Sequence, residues 1–247
     1  MRYGVISDIH SNIEAFETVL SCLEQMSVDG YLFCGDLIGY GPDPEACVQR
    51  YQQLCQDKPV EGVVGNHDAI IVHPELQEYF HFEALQVLEW SLKQLSNSSL
   101  RCVSFLPGTL QAKDFTVVHG TPRDPLKEYF FNSVQYRTLY NKWQGQILFV
   151  GHTHMPFYMQ GDEKECQVHA VAGEQTIELN PAKRYVINPG SVGKPRDNDT
   201  RAAFGVWDDK EHTFTFMREP YAYEKTQRKM MAANLPRTLI EGLALGL

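Results

Sequence analysis

Residues 3–10 read Tyr-Gly-Val-Ile-Ser-Asp-Ile-His, a short apolar run that ends in an aspartate and a histidine. Helical periodicity follows over 13–26, and further β-rich runs at 31–34 and 60–64 enclose a second helical segment at 44–54. This alternation of strand and helix is typical of parallel strands joined by helical crossovers. The first part of the chain therefore predicts an α/β fold that begins with a parallel sheet.

The second half of the chain changes to short strands. Strand-like runs lie at 115–119, 147–150, 156–159, 167–171, 176–179, 185–187, 202–207 and 213–217. Turn-forming pairs separate several of them, namely Gly161-Asp162, Gly173-Glu174 and Asn180-Pro181, and they predict antiparallel meanders. Residues 73–96, between the halves, have a helical pattern with a break near His81, and residues 221–247 form a helical tail. We expect a single domain over 1–247.

The composition excludes several classes of protein. The chain has 247 residues and a formal net charge of −9, which disfavours broad contact with nucleic acids or anionic membranes. No apolar run reaches the roughly 18 residues of a membrane span. The six scattered cysteines read as reduced thiols, and the first residues leave no room for a signal peptide. We therefore expect a cytoplasmic protein.

Five short polar clusters punctuate this scaffold. They are Asp8-Ile9-His10, Gly35-Asp36, Gly65-Asn66-His67-Asp68, His119-Gly120 and Gly151-His152-Thr153-His154. Four of them fall where a predicted strand ends, and in open α/β sheets such loops face the binding crevice. Carboxylate, imidazole and amide oxygen without thiolate suit hard or borderline divalent metals. The clusters therefore predict a metal site built from nitrogen and oxygen ligands.

In this order the clusters resemble the motifs of the calcineurin-like metallophosphoesterase superfamily. The later turn at 188–191, Asn-Pro-Gly-Ser, resembles its small bacterial and archaeal phosphodiesterase branch. The resemblance implies a four-layer α/β/β/α sandwich of two mixed β-sheets flanked by helices. It also implies a dinuclear centre in which Asp8, His10 and His154 hold one divalent ion, Asn66, His119 and His152 hold the other, and Asp36 bridges them. Manganese, iron, zinc, nickel and cobalt all accept these donors.

Such a centre implies metal-dependent hydrolysis of a phosphoester. Two ions can lower the pKa of a bridging water and stabilise the oxygens of an in-line displacement, so hydroxide attacks phosphorus. His67, beside Asn66, is the candidate general acid. We expect a small phosphodiester or a nucleotide as substrate. The alternatives are a phosphomonoesterase or protein phosphatase, and a non-catalytic scaffold of the same fold.

The sequence departs from the pattern of the family's protein phosphatases at two points. Gly39 stands where they carry an aspartate, which leaves the group that orients His67 unassigned. The arginine that precedes their Gly-Asn-His motif is Val64 here, which argues against a phosphoprotein substrate. A nuclease is disfavoured because no basic groove is evident.

Residues that contact the substrate are harder to select. Arg123 and Arg196 are candidates because guanidinium groups match phosphate oxygens, although exposed loop charge explains them equally well. Five aromatic residues are candidates for stacking on a nucleobase, although packing is the commoner role of such residues. They are Tyr40, Phe80, Tyr129, Phe130 and Phe131. Residues 73–96, which we call the insertion, are expected to act as a cap over the site. Asp68 is interpreted as a helix cap and left out of the catalytic set.

Overall fold

The computed structural model describes all residues from Met1 to Leu247. The strands are β1 Arg2–Ile6, β2 Gly30–Phe33, β3 Val60–Gly62, β4 Thr109–Gln111, β5 Phe115–Val118, β6 Ile147–Phe149, β7 Phe157–Gly161, β8 Cys166–Ala170, β9 Gln175–Glu178, β10 Arg184–Asn188, β11 Ala202–Asp208 and β12 Thr213–Glu219. The α-helices are α1 Ile13–Gln25, α2 Pro44–Asp57, α3 Asn66–Ala69, α4 Phe82–Gln94, α5 Asn97–Ser104, α6 Ser133–Leu139, α7 Tyr223–Ala232 and α8 Arg237–Leu243. Two 3-10 helices span Pro74–Tyr79 and Tyr140–Lys142.

The strands form two six-stranded mixed sheets. Their orders are β3-β2-β1-β11-β12-β9 and β4-β5-β6-β10-β7-β8. In the first sheet β1, β2 and β3 run parallel, and in the second β5, β6 and β10 run parallel. Because carboxyl ends of parallel strands lie together, each sheet presents one edge from which loops can meet over a common site.

Alternation along the strands creates the layers. Val5 and Leu32 point into an apolar cluster between the two sheets, whereas Ile6 and Phe33 point into a cluster under α1 and α2. A third cluster packs α6 against the outer face of the second sheet. Asn12 caps α1 by accepting a hydrogen bond from the Ala15 backbone N–H at 3.2 Å. The expected four-layer α/β/β/α sandwich of two mixed sheets is confirmed.

The antiparallel meanders expected in the second half are correct only in part. β7 and β8 form a hairpin, as do β11 and β12. However, β9 pairs with β12 in the first sheet, while β10 lies parallel to β6 in the second. The turn at 180–181 therefore connects the two sheets instead of two neighbouring strands. Apolar alternation identifies a strand but does not choose its partner.

The helical stretch at 73–96 breaks where the sequence predicts. The 3-10 helix Pro74–Tyr79 ends before α4 begins at Phe82, with His81 between them. The tail helices α7 and α8 pack on α4 through a small cluster that includes Val87, Met230 and Ile240. None of the helices combines the length and apolar character needed to cross a bilayer. Helices α5 and α6 and the short strand β4 were not predicted.

Replacing Phe149 with alanine tests the layer between the sheets. Its side chain is fully buried, and its ring lies 5.5 Å from that of Trp207 and 6.0 Å from that of Phe214. We expect Phe149→Ala to lower the free energy of unfolding in urea by about 3–5 kcal/mol, because it leaves a cavity in the apolar layer. Phe105→Ala, at a side chain 83% exposed, is the control and should change it by less than about 0.5 kcal/mol. Equal losses would contradict this layer assignment.

Candidate metal centre

The seven side chains predicted to bind metal come together at the carboxyl ends of five parallel strands. Asp8 and His10 follow β1, Asp36 follows β2, Asn66 follows β3, His119 follows β5, and His152 and His154 follow β6. Six of them are buried, and Asn66 is half-buried. The two sheets thus contribute to one polar cluster at a shared edge.

One half of the cluster combines Asp8 and His10, which follow β1, with Asp36 and with His154 from the loop after β6. The Nε2 atoms of His10 and His154 lie 3.1 Å apart. Asp8 Oδ1 is 3.3 Å from His154 Nε2, and Asp36 Oδ2 is 3.6 Å from His10 Nε2. These four residues form one group whose donor atoms could hold a metal ion.

The other half is centred on His119. Its Nε2 lies 3.1 Å from Asn66 Oδ1, 3.1 Å from His152 Nδ1 and 3.2 Å from Asp36 Oδ2. Asp36 therefore belongs to both groups of potential metal ligands. Its Oδ2 is buried without a hydrogen-bond partner. That position between the two groups is the one a bridging carboxylate would take.

Backbone carbonyls fix the tautomers of three histidines. The Nδ1–H of His10 donates to Ile38, that of His119 to Cys34 and that of His154 to Lys194, at 3.0, 2.8 and 2.6 Å. Since a carbonyl only accepts, Nδ1 carries a proton, and in the neutral ring Nε2 is left to present its lone pair to the cluster. Metal-bound histidines are held by bonds of this kind.

This arrangement fits a divalent cation. The Nε2 atoms of His10 and His154 lie 3.1 Å apart, and when both rings are neutral two lone pairs face each other beside the unpartnered Asp36 oxygen. Two nitrogens at about 2.0–2.1 Å from one ion, at right angles to each other, would be about 3 Å apart. A cation is the group that relieves the repulsion between these electron pairs.

The backbone around the cluster is strained. Five of the candidate ligands have positive φ angles. The angle is 47° for His10 and lies between 53° and 66° for Asp8, Asp36, His152 and His154. Such conformations cost of order 1–3 kcal/mol each in residues other than glycine and gather at functional sites. The loops are therefore held in shapes that favour convergence of ligands over local stability.

Burial and charge shift the pKa values inside the cluster. Burial lowers the pKa of His152 to about 3 and that of His154 well below its usual value, so these rings stay neutral, as ligands must. Burial opposes ionisation of Asp36, but the His119 and His67 rings hold its pKa well below the usual range. Burial also works against His119, yet Asp36 raises its pKa to about 9. The Asp36 carboxylate thus draws positive charge to the centre of the cluster.

Asp68 joins two of the ligand loops. Its carboxylate accepts hydrogen bonds from the backbone N–H groups of Leu37 at 2.9 Å, Ile38 at 3.1 Å and Gly65 at 3.1 Å. The side chain is fully buried. Besides capping α3, it ties the loop of Asp36 to the loop of Asn66, a role that the sequence analysis missed.

The turn at 188–191, which begins at the end of β10, contacts the loops that carry the candidate ligands. Asn188 Nδ2 donates to the Gly151 carbonyl at 2.6 Å and to Thr153 Oγ1 at 3.0 Å. Ser191 Oγ donates to the Asp8 carbonyl at 2.8 Å. The turn singled out by resemblance therefore holds the loops of the metal-ligand candidates, and its sequence signal was already visible.

A cavity of about 420 Å³ opens over the cluster. Asp36, Asn66, His152 and His154 lie on its lining, and residues 79–81 line it from the insertion together with Ala84. His67 also lines it. The insertion is therefore in the place expected of a cap.

Aromatic rings surround His67. Its ring centroid is 4.6 Å from that of Tyr40, 4.8 Å from that of Phe80 and 4.7 Å from that of His10. Its Nδ1 is buried without a hydrogen-bond partner and faces Gly39, where a Cβ would lie 2.3 Å from that nitrogen. Packing, and not a carboxylate, holds this ring.

The two candidate arginines differ in position. Arg196 lines the cavity and donates from Nη2 to the Tyr40 hydroxyl at 3.0 Å. Arg123 is 55% exposed, forms an ion pair with Glu128 and is not among the lining residues. The structure brings Arg196 to the site and leaves Arg123 outside it.

Comparison with known proteins identifies the family. The model of the calcineurin-like phosphoesterase superfamily domain matches residues 1–211. An uncharacterized protein of Methanocaldococcus jannaschii is 34% identical over 248 residues, which cover 98% of this chain and 97% of that protein. The crystal structure of a metallophosphoesterase from Sphaerobacter thermophilus has a TM-score of 0.87 at 34% identity, covering 100% of this chain and 99% of that one.

A hypothetical protein from Pyrococcus horikoshii OT3 shares the fold, with a TM-score of 0.82 at 18% identity over 100% of this chain and 98% of that one. The chain belongs to the calcineurin-like phosphoesterase superfamily, as its motifs predicted. This is a superfamily of metal-binding hydrolases, and the clustered ligands agree with it.

Replacing Asp68 with asparagine tests the tie between the loops. An asparagine amide would turn a donor towards backbone N–H groups, so at least one of them loses its acceptor. We expect Asp68→Asn to lower the free energy of unfolding by about 1–3 kcal/mol in urea titration. Asp114→Asn, at an exposed residue, is the matched control. Equal stability of the two variants would show that Asp68 does not join the loops.

Proposed function

We propose that the protein is a dinuclear metal-dependent phosphoesterase that hydrolyses a small phosphodiester or a nucleotide. The observation that carries this proposal is the convergence of seven candidate ligand side chains from five strand ends, four of which line an open cavity, namely Asp36, Asn66, His152 and His154. The shared position of Asp36 supports a centre with two ions. When bound, two divalent ions lower the pKa of water and stabilise the oxygens of an in-line displacement at phosphorus.

The residues around the cluster have separate tasks in this proposal. Arg196 binds a non-bridging oxygen of the phosphate, because its guanidinium lines the cavity next to His154. As an imidazolium, whose formation burial opposes by lowering the pKa of the ring, His67 acts as general acid: it gives its Nε2 proton to the leaving oxygen and becomes neutral, since its Nδ1 faces Gly39. The rings of Tyr40 and Phe80 hold the imidazole in that orientation.

Metal removal and replacement test the proposal directly. Chelator-treated protein should hydrolyse neither bis(p-nitrophenyl) phosphate nor p-nitrophenyl phosphate, and adding manganese, zinc, nickel or magnesium should show which ion restores activity. We expect Asp36→Asn to lose at least about 100-fold in activity, because both groups of ligands lose a carboxylate. Asp162→Asn, in the turn after β7, is the matched control and should keep full activity.

The outcomes separate the alternatives. Preferential cleavage of the diester supports a phosphodiesterase, whereas preference for the monoester would make the protein a phosphomonoesterase. Two bound ions per chain, measured by elemental analysis, are expected for the active protein. Failure to bind metal, together with no turnover, would contradict the proposal and favour a scaffold.

Gly39→Ala tests the role of His67. The new Cβ would collide with Nδ1 of His67 at 2.3 Å, so the imidazole must move. Because a displacement of about 1 Å can cost 10²-fold, we expect kcat to fall by about that factor while bound metal stays unchanged.

Gly173→Ala provides the control for backbone strain. Gly173 also has a positive φ, 79° against 95° for Gly39, but a Cβ there meets nothing within 4 Å. This variant should keep its kcat. Unchanged turnover in Gly39→Ala would remove His67 from the reaction.

A further inference from the structure

The cavity over the metal cluster continues into a second space that the proposed chemistry does not use. This space has a volume of about 150 Å³ and shares Asn66, Tyr79, Phe80, Tyr129 and His152 with the first. Leu76, Leu126 and Lys127 complete its lining, to which Arg196 does not belong. One substituent of a phosphoester held at the metal cluster would therefore extend into this space.

Aromatic rings from two separate segments line this extension. Tyr79 and Phe80 come from the insertion, and Tyr129 comes from the loop between β5 and α6. Tyr129 stacks on the His152 ring, with centroids 3.8 Å apart and planes at 9°. The extension thus begins at a ring that is itself in contact with a candidate metal ligand.

These rings are more exposed than packing would require. Tyr79 is 65% exposed, and Tyr129 is 37% exposed. Exposed apolar surface that lines a groove marks a place where a ligand binds. Lys127 connects the two segments, because its Nζ lies 4.7 Å from the centre of the Tyr79 ring. The space between them is open to a flat group.

The polar groups beside the rings narrow the class of ligand. Lys127 and the Asn66 amide lie on the same lining as the three rings. A heteroaromatic ring offers faces to the tyrosines and acceptors to Lys127, which also pairs with Asp124 at 3.8 Å, whereas an alkyl chain offers the lysine no acceptor. A nucleobase meets both demands, since its π-face stacks on aromatic side chains.

We propose that Tyr79, Phe80 and Tyr129, with Lys127, form a nucleobase subsite, so that the substrate is a nucleoside phosphoester. This inference rests on the proposed function, which brings the phosphate to the metal cluster. The base lies between the insertion and the loop that carries Tyr129. The sugar spans the distance from there to the metal ligands.

Competition by two matched phosphates tests the subsite. Adenosine 5′-monophosphate and ribose 5-phosphate carry the same phosphate and differ in the base. As inhibitors of the hydrolysis of bis(p-nitrophenyl) phosphate by the metal-loaded protein, adenosine 5′-monophosphate should have an inhibition constant about 5- to 150-fold lower. A ratio near 1 in protein that hydrolyses the model ester would overturn the subsite and leave the proposed function standing.

Variants on the insertion locate the effect. In Tyr79→Ala the ratio should approach 1, whereas Tyr79→Phe, which keeps the ring, should retain it. Phe82→Ala is the control, because Phe82 is 80% exposed on the same insertion and does not line either space. An unchanged ratio in Tyr79→Ala contradicts the proposal. Equal or tighter inhibition by octyl phosphate would also contradict it, because it would favour an alkyl chain over a base.

A readout without turnover separates the two hypotheses. Saturation-transfer NMR on metal-depleted protein should show transfer from the protein to the adenine H2 and H8 protons, and weaker transfer in Tyr79→Ala. If no ester is hydrolysed with any metal, the proposed function fails, and this measurement alone decides the subsite. Absence of transfer in the parent protein would overturn the subsite.

Discussion

Repulsion between electron pairs is the constraint on which the rest of the site depends. Histidine nitrogens and carboxylate oxygens lie within 3.1–3.7 Å of each other at the edge of two sheets, and three histidines have their protons committed to carbonyls outside the cluster. Such an assembly requires positive charge: the raised pKa of His119 lets a proton supply part of it, and bound divalent ions would supply more. The fold must therefore hold these groups together against their own repulsion, which explains why the surrounding backbone is strained and why its supports are buried.

Those supports come from residues that have no part in the chemistry. The Asp68 carboxylate connects the loops after β2 and β3 inside the first sheet. Asn188 and Ser191 connect the second sheet to the loops that carry His152 and Asp8. Gly65 is required because it has no side chain: a Cβ at this position would lie 2.0 Å from Asp36 Oδ1. Since each support joins loops from different strands, the geometry of the cluster depends on how the two sheets are placed relative to each other.

Sequence patterns predicted which side chains converge better than they predicted the strand partners. Motifs such as Gly-Asn-His-Asp are local, and their order along the chain resembles that of the family, so the candidates could be named before their positions were known. The place of β9 beside β12 depends on which sheet edge is free after all other strands have paired, and no local pattern encodes this. The sequence analysis interpreted Asp68 only as a helix cap. Two of its three backbone partners, Leu37 and Ile38, are distant in sequence, so no local pattern indicates that it joins two loops. Arg196 and Arg123 looked alike for the same reason: only the fold shows that Glu128 pairs with Arg123.

The glycine at position 39 changes how the catalytic candidate is held. With no side chain at this position, the Nδ1 of His67 has no carboxylate partner, and the ring depends on Tyr40 and Phe80 for its orientation. Phe80 belongs to the insertion, which also lines the cavity. The segment that shapes the space for substrate thus packs against the imidazole proposed to protonate the leaving group. Any movement of this insertion would alter the cavity and the position of His67 together, so the proposed substrate binding and the proposed proton transfer would be coupled through Phe80.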